Sequence, residues 1–438
     1  MSKIPILLLA LCQGAFGQTP ASPPRQNPGP GAIVLTLQDA LQRARQYAQQ
    51  VYTANIAALS AHEDSVQAKA ALLPTLNALS QYIYTQPNGT PSGTFVSNDG
   101  PHVYNDQGLV HGEIFNPERR ADYRRILAAE AVARAKADLA ARGLVATVAQ
   151  NFYSVAVDQR KVANAQQSLT EAQQLLDITQ KQEAGGEVAH YDVLKAQIQL
   201  DQRERDVQEA RLALDKARLG FAVLLFPDFT QDYSVADDLD TAPPLPPFSE
   251  IQTMAGNNSP DMRVAQATVE QQTHALAVAK AGYLPSVSMD YFYGINANQF
   301  AIHNREGQNQ LGNVVQAQVN IPVWTWGSVR SKVRQAELQL TQARNDLSFT
   351  QRNLLSELSQ FYLEAHVASS QIGSLRLSME RSQDALKLTF LRYQAGEATI
   401  LEVADAQTTL VQARNAYGDG LVRYRLALAN LQTLTGVF

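Results

Sequence analysis

Only one cysteine occurs in the 438 residues, at position 12 inside what reads as a leader, so a mature chain would have no disulfide to staple its fold. Charge is sparse as well. Asp, Glu, Lys and Arg make up 18% of the chain, the formal net charge is −5, and no block of Lys and Arg is dense enough to track a phosphate backbone. Nucleic acid is therefore not an expected partner. Catalytic signatures are missing too. The histidines at 62, 102, 111, 190, 274, 303 and 366 show no H-E-x-x-H spacing and no paired ligand pattern. There is no glycine loop for phosphate and no serine within a G-x-S-x-G elbow. These absences point away from an enzyme and imply neither a cofactor nor a metal site.

What is present begins with an export signal over residues 1–17. Lys3 gives a charged start, Ile4 to Cys12 is apolar but too short to span a bilayer, and Ala15-Phe16-Gly17 is a small-x-small cleavage site. Leu11 before Cys12 argues against lipidation, which prefers a small residue there. Residues 18–35 read as a Pro/Gly-rich spacer.

The body of the chain carries one pattern twice. Ala68-Lys69-Ala70-Ala71-Leu72-Leu73-Pro74 recurs as Ala279-Lys280-Ala281-Gly282-Tyr283-Leu284-Pro285, 211 positions on. Gly186-Glu187, Asp192-Val193 and Ala196-Gln197 recur as Gly396-Glu397, Glu402-Val403 and Ala406-Gln407, 210 positions on. So small a drift implies a duplicated unit. We place the repeats at 36–236 and 249–438, joined by an acidic, Pro-rich connector at 237–248 that should wrap outside the helices.

Each unit reads as helix, strand, strand, helix, helix, which makes the fold mainly α with a small β portion. Thr36 and Asp39 have the spacing of a capping box, and Pro74 ends the helical pattern that follows. Period-2 stretches occupy about 75–86, 103–115, 286–297 and 312–323. The clearest has Val287, Met289, Tyr291, Tyr293 and Ile295 on one face, and Val315, Ala317, Val319, Ile321 and Val323 continue the pattern in the next. Such alternation fits strands between lipid and water, and fits equally an amphipathic hairpin on a soluble core. From Pro117 to Ala184 and from Ser328 to Ala395 no proline intervenes, so each helix would run about 100 Å. Turns containing Gly185-Gly186 and Gly396 follow, and then helices of about forty residues. Coiled-coil seams repeat every seven residues in the last helix: Val403, Leu410, Tyr417, Tyr424 and Leu431 along one line, Ala406, Ala413, Gly420, Ala427 and Leu434 along another.

If the four strands cross a membrane, they cannot do so alone, because open sheet edges in hydrocarbon cost several kcal/mol per unpaired group. Barrels begin at about eight strands, so the chain must assemble, and three copies would supply twelve. The sequence alone does not separate a dimer from a trimer.

The run Arg392-Tyr393-Gln394-Ala395-Gly396-Glu397-Ala398-Thr399-Ile400-Leu401-Glu402-Val403-Ala404-Asp405-Ala406-Gln407 resembles the signature of the TolC-like outer-membrane efflux proteins. Ala413-Arg414-Asn415, Tyr424, Leu284-Pro285 and Ile321-Pro322-Val323-Trp324-Thr325-Trp326-Gly327 agree with it, and the likeness extends from Thr36 to about Val437. The resemblance implies a homotrimeric channel-tunnel, with a twelve-stranded barrel in outer-membrane lipid and an α-barrel in the periplasm of a Gram-negative cell. It further implies a periplasmic adaptor and an inner-membrane transporter as partners. On matching positions it implies an entrance narrowed by Glu402, Asp405 and Asp192 and held closed with help from Tyr393. Two departures stand out. Glu183 occupies the place of Tyr393 in the first repeat, and Ala398 stands where an arginine is common, which weakens the case for a charge-pair latch.

Some of these residues have plainer roles. Glu402 three positions after Thr399 is also a capping box. Trp324, Trp326 and Phe115 form either an aromatic membrane boundary or the packing of a strand-helix corner. A periplasmic coiled-coil scaffold or adaptor is the rival for the whole chain, but it would be expected to show a single hairpin.

Overall fold

The computed structural model describes residues 33–85, 102–241 and 243–436. The expected export signal and most of the spacer lie outside the described residues. Fifteen short and long elements follow, in the order that the repeat dictates.

The chain enters through a short strand, β1 (Ile33–Leu35), and two helices, α1 (Leu37–Tyr47) and α2 (Gln49–Ala70). The capping box at α1 is formed: Thr36 Oγ1 accepts from the Asp39 amide, and the Thr36 amide donates to the Asp39 carboxylate at 3.2 Å each. The β1 strand corrects the expected spacer, which extended to residue 35. It pairs in parallel with a strand 200 residues away, β4 (Tyr233–Val235), a partner that no local pattern announces.

After Pro74 come β2 (Thr75–Tyr84) and β3 (His102–Phe115), then α3 (Pro117–Ala184) and α4 (His190–Leu225). Pro117 sits at the first helical position, where its missing N–H costs nothing, and the Asn116 side chain caps the Arg119 amide at 3.0 Å. Beyond β4 and a single 3₁₀ turn (Leu239–Thr241), the pattern returns as α5 (Phe248–Asn258), α6 (Pro260–Ala281), β5 (Ser286–Ala297), β6 (Leu311–Asn320), α7 (Ser328–Gln394) and α8 (Ile400–Thr435). The strand expected to reach Val323 stops at Asn320. Pro322 has no N–H to give a ladder, and Ile321 and Val323 lie exposed beyond the last pair, Ser286 with Asn320.

The four long strands form one antiparallel sheet in the order β2-β3-β5-β6, so the two repeats meet at the β3–β5 pair. The long helices run from one end of this sheet, α3 beside α4 and α8, and α7 beside α8. Midway along them is the largest core. Val148, Phe152 and Ala156 of α3, Phe221 and Leu225 of α4, Leu35, Tyr233 and Leu239 are all at most 1% exposed. Phe152, Phe221 and Tyr233 meet edge to face, with centroids 6.3–6.4 Å apart. The described residues of the connector are anchored to the helices. Leu239 is buried, Arg160 of α3 forks onto Asp237 and Asp240, and the Tyr424 hydroxyl of α8 donates to the Pro243 carbonyl at 2.8 Å.

One seam of α8 departs from the sequence expectation over the half nearer the tip. There the buried line is Ile400, Gln407, Arg414 and Leu421, one residue on from half-buried Ala406, Ala413 and Gly420, whereas farther along Ala427 and Leu434 of the expected line are buried together with Leu428 and Thr435. Small size attracted the reading to the alanines, while the helix turns a glutamine and an arginine inward. Arg414 meets Glu171 of α3 at 3.4 Å, and both amide atoms of Gln407 lack a hydrogen-bond partner.

Candidate functional site: the helical tips and the sheet faces

The helices turn back at two tips of the same geometry. In the first, Gly186 has φ +76, the Glu187 amide donates to the Gln182 carbonyl at 2.8 Å, and the Gly186 amide donates to Glu183. In the second, Gly396 has φ +75, and the Glu397 amide donates to Arg392 at 2.8 Å. Both are helix ends closed by a left-handed residue, the conformation glycine adopts without penalty. Gly185 needs no such freedom: its φ is −77, and its counterpart in the second repeat is Ala395.

Tyr393 is drawn inward at the second tip, 3% exposed, above a core of Leu175, Ala196, Leu386, Ile400, Val403 and Leu410. Its hydroxyl lies 2.9 Å from Thr179 Oγ1 of α3, and Thr179 Oγ1 gives its own hydrogen to the Leu175 carbonyl at 2.8 Å. Tyr393 must therefore be the donor. Burial pushes the Tyr393 phenol above its ordinary value, and the charge of nearby Asp192 pushes the same way. The Thr179 hydroxyl, already committed to Leu175, offers a phenolate little in return. The structure thus brings Tyr393 and Asp192 together across the two hairpins, and adds Thr179, which no sequence signal marked.

Glu402 caps α8. Its amide donates to Thr399 Oγ1 at 3.4 Å, and its carboxylate accepts from the Thr399 amide at 3.2 Å. The same carboxylate stands 3.7 Å from Arg392 Nη1, so a charge pair exists at this tip without an arginine at 398. The first tip uses other residues: Gln182 and Asp192 stand at the matching positions, and the close pair is His190 Nδ1 with Glu183 Oε1 at 2.7 Å. Asp405 lies exposed on the following turn of α8.

At the far end, the ladder sorts the sheet into two faces. Leu76, Val110, Tyr291 and Val315 form one cross-strand row, and Val287, Met289 and Tyr293 extend its apolar face. Between these rows, pointing to the opposite face, lies Thr75, His111, Asp290 and Gln316. A bulge at Ile114 shifts the register so that Phe115 opposes Val287 and joins the apolar face. Trp324 and Trp326 are 74% and 89% exposed and meet edge to face at 5.8 Å. Trp326 has φ 51, a left-handed conformation unusual for a bulky side chain, immediately before Gly327 at φ +80. A second aromatic group, Tyr82, Tyr84 and Tyr104, lies at the other end of the sheet, with Asp106 two pairs away from it. From Phe115 to Tyr104 is about ten strand rises of ~3.3 Å, which at ~40° of tilt gives ~25 Å, the height of a barrel's apolar band.

No helix among the described residues is long and apolar enough to cross a membrane. A sheet with an outward apolar face bounded by aromatics, continuous with helices far longer than a globular domain accommodates, defines the wall segment of a membrane channel-tunnel. The chain belongs to the outer membrane efflux protein family, whose model matches residues 38–225 and 253–437. Among curated relatives, outer membrane protein TolC of Vibrio cholerae is 24% identical over 389 residues, covering 86% of this chain and 85% of that protein. The pyoverdine export outer membrane protein OpmQ of Pseudomonas aeruginosa is 27% identical over 428 residues, covering 92% and 84%. The crystal structure of the Campylobacter jejuni CmeC outer membrane channel shares the fold, with a TM-score of 0.80 at 17% identity, covering 91% of this chain and 85% of that one. The protein is an outer-membrane channel of the kind that serves efflux and type I secretion, with a large periplasmic portion.

Proposed function

We propose that three copies close their sheets into a twelve-stranded barrel and their helices into a periplasmic tunnel. This duct gives passive exit to cargo delivered by an inner-membrane transporter through a periplasmic adaptor. The observation that carries the assembly is the strand order. Both outer strands, β2 and β6, have one unpaired edge among the described residues, which hydrocarbon does not tolerate. Pairing β6 of one copy with β2 of the next satisfies both and continues the apolar face around the ring.

In this reading the tips form the entrance. Three copies of Glu402 and Asp405 place six carboxylates around the axis, with Asp192 beside them, and the mutual repulsion of the carboxylates favours bound cations. Tyr393 ties the second hairpin to the first and so holds the entrance narrow, while Gly186 and Gly396 make the turns tight enough to converge. Trp324, Trp326 and Phe115 mark the periplasmic boundary of the lipid. The test is conductance in planar bilayers. Purified protein should form discrete pores whose conductance rises when the tip contacts are removed, and protein that forms no pores would refute the reading.

A further inference from the structure

We propose that a cleft between the two hairpins binds a small apolar molecule that carries a primary carboxamide. The cleft has a volume of about 250 Å³ and is walled by α3, α7 and α8. Gln407, about two turns into α8, lines it. This side chain is 2% exposed, yet neither its amide nitrogen nor its amide oxygen has a hydrogen-bond partner among the described residues. Glu171 of α3 lines the same cleft, and its Oε2 is also buried without a partner there. Glu171 Oε1 is engaged: it accepts from Gln167 Nε2 at 3.1 Å and faces Arg414 at 3.4 Å. Buried polar atoms are seldom left unpaired, because each then carries its full desolvation cost. The duplication supplies an internal control. Gln197 occupies the matching place in α4, but it is exposed, and its amide donates to Asp201 at 3.2 Å. Only the second repeat turns this amide into a cleft and leaves it unpaired.

The orphaned atoms specify the head group. A glutamine amide presents N–H donors and an acceptor oxygen, whereas Glu171 Oε2 presents an acceptor alone. A primary carboxamide answers all of them: its oxygen accepts from Gln407 Nε2, one N–H donates to Gln407 Oε1, and the other donates to Glu171 Oε2. A carboxylate has no hydrogen to give and is repelled by Glu171, while a protonated amine has nothing to accept with. The rest of the wall specifies the tail, because it includes Leu386, Phe390 and Leu410. A cavity of about 150 Å³ is enough for benzene, and one water claims only about 30 Å³. The cleft therefore has room for a ring with its head group, and its apolar wall favours the ring over water.

The test is titration calorimetry of benzamide into the full-length protein in detergent, with protein-free micelles as the blank. Saturable binding with a Kd of about 1 mM or tighter is expected. Benzoate, and N,N-dimethylbenzamide, which keeps the ring and the oxygen but has no N–H, should each bind at least about tenfold more weakly. Gln407→Met keeps the length of the side chain and removes the amide, so it should weaken benzamide binding about tenfold or more. Gln197→Met, on the exposed face of α4, should leave that binding unchanged. Benzamide should also raise the melting temperature of the parent and not that of Gln407→Met. Should Gln407→Met fail to fold, the ranking of the three compounds on the unaltered protein decides the matter alone. Equal binding of benzamide and N,N-dimethylbenzamide, undiminished binding in Gln407→Met, or a benzamide-soaked crystal with only ordered water at Gln407 would overturn the site.

Discussion

The Tyr393 hydroxyl donates to Thr179 across the gap between α7 and α3, joining the two hairpins near their tips beside the longer contacts from Gln182 Nε2 to the Tyr393 and Gln394 carbonyls at 3.5 Å. Tyr393→Phe keeps the ring in its core and removes only the donor. A net loss of about 1 kcal/mol is expected. Thr179→Val should do the same, and the two together should cost little more than either alone. Single-channel conductance of the three variants checks this: each should exceed the parent, with the double variant close to the singles.

The same bond should make the entrance sensitive to alkali. Tyr393's raised pKa means that the folded state prefers the neutral phenol. Its contribution is whole below the ordinary tyrosine value of 10.0 and is lost as pH climbs through the raised folded value. Conductance should therefore rise above about pH 10 in the parent, and Tyr393→Phe should flatten that rise.

Neutralising the entrance separates a gate from a cap. Glu402→Gln with Asp405→Asn should raise conductance and weaken block by divalent cations. Thr399→Ala breaks the same capping box, at a cost of about 1 kcal/mol, but leaves both carboxylates in place. It should not relieve divalent block. Equal effects from both changes would reduce Glu402 to a helix cap.

Trp324 and Trp326 are the chain's two tryptophans, which makes lipid depth directly measurable. Lipids brominated near the head group should quench the protein's fluorescence more than lipids brominated at the chain end. Stronger quenching from the chain end would move both rings out of the boundary.

Much of this architecture was legible because its signals are local. Pro74 and Pro117 end and start helices, glycine closes the tips, and period-2 alternation marked β5 to the residue. What was hidden depends on partners distant in sequence. β1 is three residues long and needs β4 for its hydrogen bonds, so it looked like spacer. Thr179 looks like any helical threonine until Tyr393 arrives 214 positions later. Near the tip the α8 seam runs one residue on from Ala406 and Ala413, because Arg414 turns inward to meet Glu171 of α3, while Ala427 and Leu434 are buried as the heptad predicted. The face of Phe115 was likewise decided by a bulge, which shifts register without leaving a mark in the alternation.

Everything here depends on neighbouring copies completing the sheet. The most direct measurement is the mass of the protein extracted from outer membranes, by native mass spectrometry with detergent removed in the instrument. The account predicts a particle of three chains that needs detergent to remain dispersed. A monomer of one chain, stable in water without detergent, would contradict it.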